Sequence, residues 1–145
     1  QVLVASPSYL NQTAPISRPE DLKHHELIPL TIMKNFQQLN FKHISTAENV
    51  DVELGSRLST NNVLVSKSLC MQGHGLARIL HLDIQKDLLN GSLVEILPEW
   101  KLPAFTLYAI ISKHEQQPMK VHRCLEALKQ YFSQLPGGRV FQEAS

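Results

Sequence analysis

Arg78 stands as a full charge inside an apolar run, Leu76-Ala77-Arg78-Ile79-Leu80. A guanidinium drawn into such a run must be paired. It can clamp a ligand carboxylate through two parallel N–H bonds. It can instead reach solvent along its own stem or meet an internal acid, and these structural roles are the favoured ones. A second candidate is Ser59-Thr60-Asn61-Asn62, which precedes Val63-Leu64-Val65. That order predicts a helix over 61–72, capped by Ser59 or Thr60. The first turn of a helix carries free N–H groups and a favourable dipole for an anion. Thr60, Asn61 and Asn62 would add side-chain donors. Thr31, Ile32 and Met33 close a predicted strand over 26–33, where open α/β sheets place ligands. Core packing is the alternative for these three. Ser6 follows an apolar strand and is either a turn former or a donor.

Other chemistries find little support. The seven histidines do not form a metal set. His24 and His25 are adjacent and point apart, and His74 and His81 have no carboxylate or thiolate at matching spacing. No Gly-x-Ser-x-Gly run marks a nucleophile. Gly73-His74-Gly75 lacks the third glycine of a phosphate loop and follows a helix rather than a strand. No cofactor, metal or catalytic role is expected.

Strands alternate with helices around these candidates. Val2–Ala5 suits a buried strand, and Pro7 opens a short turn carrying Tyr9 and Leu10. Ser17-Arg18-Pro19-Glu20-Asp21-Leu22 reads as a helix start. Pro29 interrupts the strand over 26–33. Short strands are expected over 41–44 and 50–54, around a polar turn at Ala47-Glu48-Asn49, with a helix as the alternative for 50–54. Val65 and Leu69, with Leu64 and Met71, should supply the buried stripe of the helix over 61–72. Gly73 and Gly75 suit a turn with positive φ. A strand over 76–80, a helix over 82–89 ended by Asn90-Gly91, and a strand over 93–97 follow. Residues 105–111 carry the strongest strand signal, and 118–135 the longest helix, with Val121, Leu125, Leu128 and Phe132 at helical spacing. The expected class is α/β, a mixed sheet with flanking helices.

A chain of 145 residues with net charge +1 suffices for one core and is short for two full lobes. That charge gives no reason to expect nucleic acid or an acidic membrane as partner. No apolar stretch is long enough to span a bilayer, and no signal peptide is visible. Cys70 and Cys124 are expected as reduced core residues of separate helices. A cytoplasmic location follows as the expectation. The sequence begins at Gln1 directly with a strand, which is read as a fragment of a longer protein.

Several pieces, in order, resemble one family. They are Val2-Leu3-Val4-Ala5-Ser6-Pro7-Ser8-Tyr9-Leu10, Pro19-Glu20-Asp21-Leu22, Gly73-His74-Gly75-Leu76, Leu88-Leu89-Asn90-Gly91-Ser92-Leu93-Val94, and Pro98-Glu99-Trp100. Pro118-Met119-Lys120-Val121 continues the match. The order is similar to the effector-binding domain of LysR-type transcription regulators, chiefly its second lobe. Leu80 stands where the family often has Pro, and Arg78 where it usually has an apolar residue.

The resemblance implies a periplasmic-binding-protein-like lobe at 1–100, a strand and helix at 101–135 returning toward an absent first lobe, and a tail at 136–145. It implies a ligand-sensing domain, not an enzyme, binding a small organic anion in a cleft between lobes. Ser6, Thr31, Ile32, Met33, Thr60, Asn61, Asn62 and Arg78 are the candidate contacts. It also implies homodimers, here through 103–135, and DNA contact only through a helix-turn-helix with no counterpart in this sequence. A transport-type binding protein or an enzyme on a similar scaffold is the alternative.

Overall fold

The computed structural model describes residues 1–104, 106–111 and 118–135. The chain divides into two units, Gln1–Phe105 and Thr106–Ser145.

The first unit is built on β1, Val2–Ala5, whose four residues are all buried. An unbroken apolar run suits a strand covered on both faces. β1 lies between two antiparallel neighbours, β4 (Ala77–Ile79) and β5 (Val94–Ile96). Leu3 and Ala5 face one core with Leu22, Leu27, Leu39, Phe41 and Leu76. Val2 and Val4 face another with Ile28, Cys70, Ala77, Ile79, Ile84 and Leu93. Both cores follow from the period-2 alternation of one strand.

A second antiparallel sheet orders β3 (Asn49–Glu53), β2 (Gln38–His43) and β6 (Trp100–Lys101). Leu39 and Phe41 point inward and Asn40 and Lys42 outward, and Val52 is buried between exposed Asp51 and Glu53. The strands expected to form one mixed sheet are thus divided between two three-stranded antiparallel sheets. Parallel pairing survives as isolated bridges, Leu27 with Leu76 and Leu30 with Thr60. Pro29 sits between them and has no N–H to continue a ladder.

Helices link the strands. α1, Pro7–Leu10, starts at Ser6, whose Oγ accepts from the Tyr9 amide. Pro19–His24 forms a 3₁₀ helix, with the Asp21 carboxylate accepting from the Ser17 and Arg18 amides. α2, Val63–Met71, packs on the Val2/Val4 face. A 3₁₀ turn, His81–Ile84, leads into α3, Gln85–Leu89. The Lys67–Asp87 ion pair, with side chains 24% and 14% exposed, ties α2 to α3.

The buried face of α2 differs from the expected stripe. Leu64 is 69% exposed and Val65 45%, while Ser66 and Cys70 are fully covered. Small residues let the helix approach the strands closely. Their polar atoms are satisfied: Ser66 Oγ donates to the Ile28 carbonyl at 2.9 Å, and Cys70 Sγ to the Val4 carbonyl at 3.4 Å. After the helix, Gly75 lies against the 26–28 segment, and a Cβ there would stand 2.6 Å from the Glu26 carbonyl oxygen. Only glycine permits that approach.

In the second unit, residues 106–111 form no strand, and Phe105 lies outside the described residues. A strand needs a ladder partner, and among the described residues none pairs with 106–111. α4, Met119–Ser133, occupies most of the expected helix. Val121, Leu125 and Phe132 are half-buried, and Leu128 is exposed. The tail at 136–145 lies outside the described residues.

Candidate functional site

The opening of α2 is organised by Asn62, not by Ser59 or Thr60. Asn62 Oδ1 accepts from the Leu64 amide at 2.9 Å and the Val65 amide at 3.4 Å. Asparagine outranks threonine as a cap, and the residue just before the first helical turn has the needed extended backbone. Thr60 acts one step earlier, its Oγ1 accepting from the Asn62 amide at 3.1 Å. Most of the free donors of this helix start are thus already engaged. Asn61 and Asn62 remain exposed, and the dipole still favours negative charge.

Thr31 comes directly against this start. Its amide donates to the Thr60 carbonyl at 2.9 Å, and its hydroxyl lies 3.5 Å from the same oxygen. Residues 31–33 are a turn after the Leu30 bridge rather than a strand end. Ile32 projects outward, 73% exposed, and Met33 is half-buried.

Met33 leads to Arg78. On β4, Arg78 pairs with Leu3 across the ladder. Its Nη2 lies 3.1 Å from Met33 Sδ, and its Nη1 donates to the Gln38 carbonyl at 3.4 Å. The guanidinium is half-buried, and desolvation lowers its pKa from the usual arginine value. Among the described residues no carboxylate pairs with it. Of the two structural roles expected for Arg78, an internal acid is not found among the described residues; a carbonyl and a thioether stand there instead.

Ser6 belongs elsewhere. It is 2% exposed, and its Oγ is engaged with Ser8 Oγ at 3.0 Å and the Tyr9 amide at 3.4 Å. It lies beside Gly73, beyond the C-terminal end of α2. Nine helical residues span about 13 Å, so Ser6 and the Thr60–Asn62 start stand at opposite ends of α2. The structure brings Thr31, Met33, Thr60, Asn62 and Arg78 into one connected series and leaves Ser6 outside it.

Sequence reasoning missed the cluster of Tyr9, His25 and Glu26. Tyr9 Oη lies 3.2 Å from His25 Nδ1 and accepts from the Glu26 amide at 3.1 Å. Sixteen residues separate Tyr9 from His25, and no local pattern announces the pair. Among the described residues no group of three or more His, Cys, Asp or Glu could hold a metal ion.

Comparison with known proteins agrees with this architecture. The family described as the LysR substrate binding domain matches residues 1–133. The HTH-type transcriptional regulator PtxR of Pseudomonas aeruginosa is 29% identical over 136 residues, covering 94% of this chain and 43% of that protein. The probable HTH-type transcriptional regulator SinR of Salmonella typhimurium is 34% identical over 125 residues, covering 79% of this chain and 36% of that protein. This chain thus spans less than half the length of either regulator. Among solved structures, the regulatory domain of AphB from Vibrio vulnificus, treated with cumene hydroperoxide, superposes with TM-score 0.61 at 31% identity, covering 68% of this chain and 49% of that one. The full-length virulence activator AphB of Vibrio cholerae gives TM-score 0.63 at 26% identity, covering 70% and 34%. With a family match across nearly its whole length and a fold shared with the regulatory domains of such activators, the chain belongs to the LysR substrate-binding domain family.

Proposed function

We propose that this chain senses a small organic anion for a LysR-type transcription regulator and performs no chemistry of its own. The observation that carries the reading is Arg78, a half-buried cation with no carboxylate partner among the described residues. A desolvated guanidinium is stabilised strongly by a bidentate carboxylate. The turn 31–33 connects it to the helix start, through Met33 at one end and Thr31 at the other. An anion along that turn would meet the guanidinium, the Thr31 and Thr60 hydroxyls, and the Asn61 and Asn62 side chains. Ser6 contributes by shaping the turn out of β1.

In this reading residues 1–100 form one lobe, and 101–135 return toward a facing lobe that completes an inter-lobe cleft. DNA contact belongs to a helix-turn-helix elsewhere in the regulator, which works as a cytoplasmic homodimer. The test is titration of the chain with acetate, succinate and benzoate, followed by backbone amide and arginine Hε shifts. Perturbation should centre on Thr31, Asn61 and Arg78, and Arg78→Gln should weaken the binding at least tenfold. Shifts confined to segments remote from these residues, or unchanged affinity in Arg78→Gln, would overturn the assignment.

A further inference from the structure

His25 is 4% exposed, and its Nε2 has no hydrogen-bond partner among the described residues. Its neighbours favour one tautomer. The Glu26 amide donates to Tyr9 Oη, which occupies one lone pair of that oxygen. Tyr9 then best satisfies its own O–H by donating to His25 Nδ1 at 3.2 Å. In that arrangement the neutral imidazole carries its proton on Nε2. We propose that Tyr9, His25 and Glu26 form a proton-sensitive latch that holds the 26–31 segment in place at neutral pH and releases it in acid.

The segment matters because it is the seam of the first unit. From Glu26 the chain exchanges backbone bonds with Leu76, just before β4: the Leu76 amide donates to the Glu26 carbonyl and the Ile28 amide to the Leu76 carbonyl, both at 2.8 Å. Leu27 N–H donates to Gly55, and Thr31 N–H to Thr60. A second proton on His25 would sit on Nδ1 and point at Tyr9 Oη. Tyr9 would then have to accept twice, and its own O–H would lose its target in a buried setting. The new cation would also be buried. Of the groups around it, Asp21 favours the charge, but its carboxylate already serves the Ser17 and Arg18 amides. His24 opposes it. The Glu26 carboxylate is turned to Arg57, and Cys70 of α2 is buried, which pushes its thiol up to about 12. Burial correspondingly lowers the His25 pKa.

The sign of the effect is fixed. With the folded value depressed, the latch is whole above the ordinary histidine value of about 6.5. As the pH falls through that value the unfolded chain takes up a proton that the folded chain resists, so stability is lost toward acid. One such proton changes the unfolding equilibrium by up to about tenfold per pH unit between the unfolded and folded values.

Long-range ¹H–¹⁵N imidazole spectra of the full chain test the idea without any substitution. At pH 7.5, His25 should show the Nε2–H tautomer, and it should remain neutral at pH 6.5 where exposed histidines are half-protonated. Protection of the Glu26 and Ile28 amides, corrected for intrinsic exchange, should fall as the pH drops below 6. His25→Gln should flatten the acid limb of urea stability. An Nδ1–H tautomer, an ordinary titration, or pH-independent protection of Glu26 and Ile28 would each overturn the latch, whether or not His25→Gln folds.

Discussion

The buried face of α2 gives the sharpest test of the packing. Two single substitutions should rank opposite to hydrophobicity. A fully buried leucine changed to alanine costs about 2–5 kcal/mol. Leu64 keeps 69% of its surface exposed. With about a third of its side chain covered, at about 1.5–3 kcal/mol for full burial, Leu64→Ala should lose about 0.5–1 kcal/mol. The better helix propensity of alanine offsets about 0.2 kcal/mol of that. Ser66 is fully buried, and its Oγ donates to the Ile28 carbonyl. Ser66→Ala strips a buried acceptor of its partner, which costs about 1–3 kcal/mol. Urea unfolding followed by circular dichroism, at unchanged m-value, measures both. If Leu64→Ala cost more than about 2 kcal/mol while Ser66→Ala were neutral, α2 would be rotated from the face described, and the approach of the 26–28 segment to the helix would be wrong with it.

Further expectations follow from other contacts. Gly75→Ala sets a Cβ 2.6 Å from the Glu26 carbonyl oxygen at φ +154, so it should destabilise by at least about 2 kcal/mol, read as a lower urea midpoint. A neutral glycine substitution there would show that the 26–28 segment does not lie against the turn. Lys67→Met should destabilise by about 1–3 kcal/mol, because it leaves the Asp87 carboxylate half-buried and unpaired; adding Asp87→Leu should restore part of the loss in a double-mutant cycle. Native thiol titration should report one reactive cysteine, since Cys124 is exposed rather than in a core as expected, while burial pushes the Cys70 thiol up to about 12; Cys124→Ser should abolish the signal. Sedimentation across a dilution series should show self-association, because Leu128 and Tyr131 of α4 are exposed apolar groups. A monomer at micromolar concentration would refute a dimer through 103–135.

Much of the scaffold is local and therefore legible in residue order. Four consecutive apolar residues mark Val2–Ala5 as a segment suited to a buried strand, and Ser6-Pro7 ends it. Gly73, Gly75 and Gly91 all take positive φ, as turns after helices require. Arg78 was recognisable as a charge in the wrong place, and Thr60-Asn61-Asn62 as a helix opening. The strand at Trp100–Lys101 was missed, because two residues carry no periodicity of their own and exist as a strand only by pairing with Lys42 and His43.

What tertiary structure alone decided are relations between distant segments. Leu64 and Val65 look like core by composition, yet Ser66 and Cys70 are buried, because the Ile28 and Val4 carbonyls accept their polar hydrogens and small side chains allow close docking. Residues 105–111 look like the strongest strand, yet 106–111 form none, since a strand is a property of a pair and not of a segment. Thr31 meets Thr60, and Met33 meets Arg78, across 29 and 45 residues of sequence. Tyr9 meets His25 only after β1, α1 and the 3₁₀ helix have packed on one core. Periodicity fixes which face of an element is apolar; only the competition of all such faces for the same interior fixes which side chains finally touch.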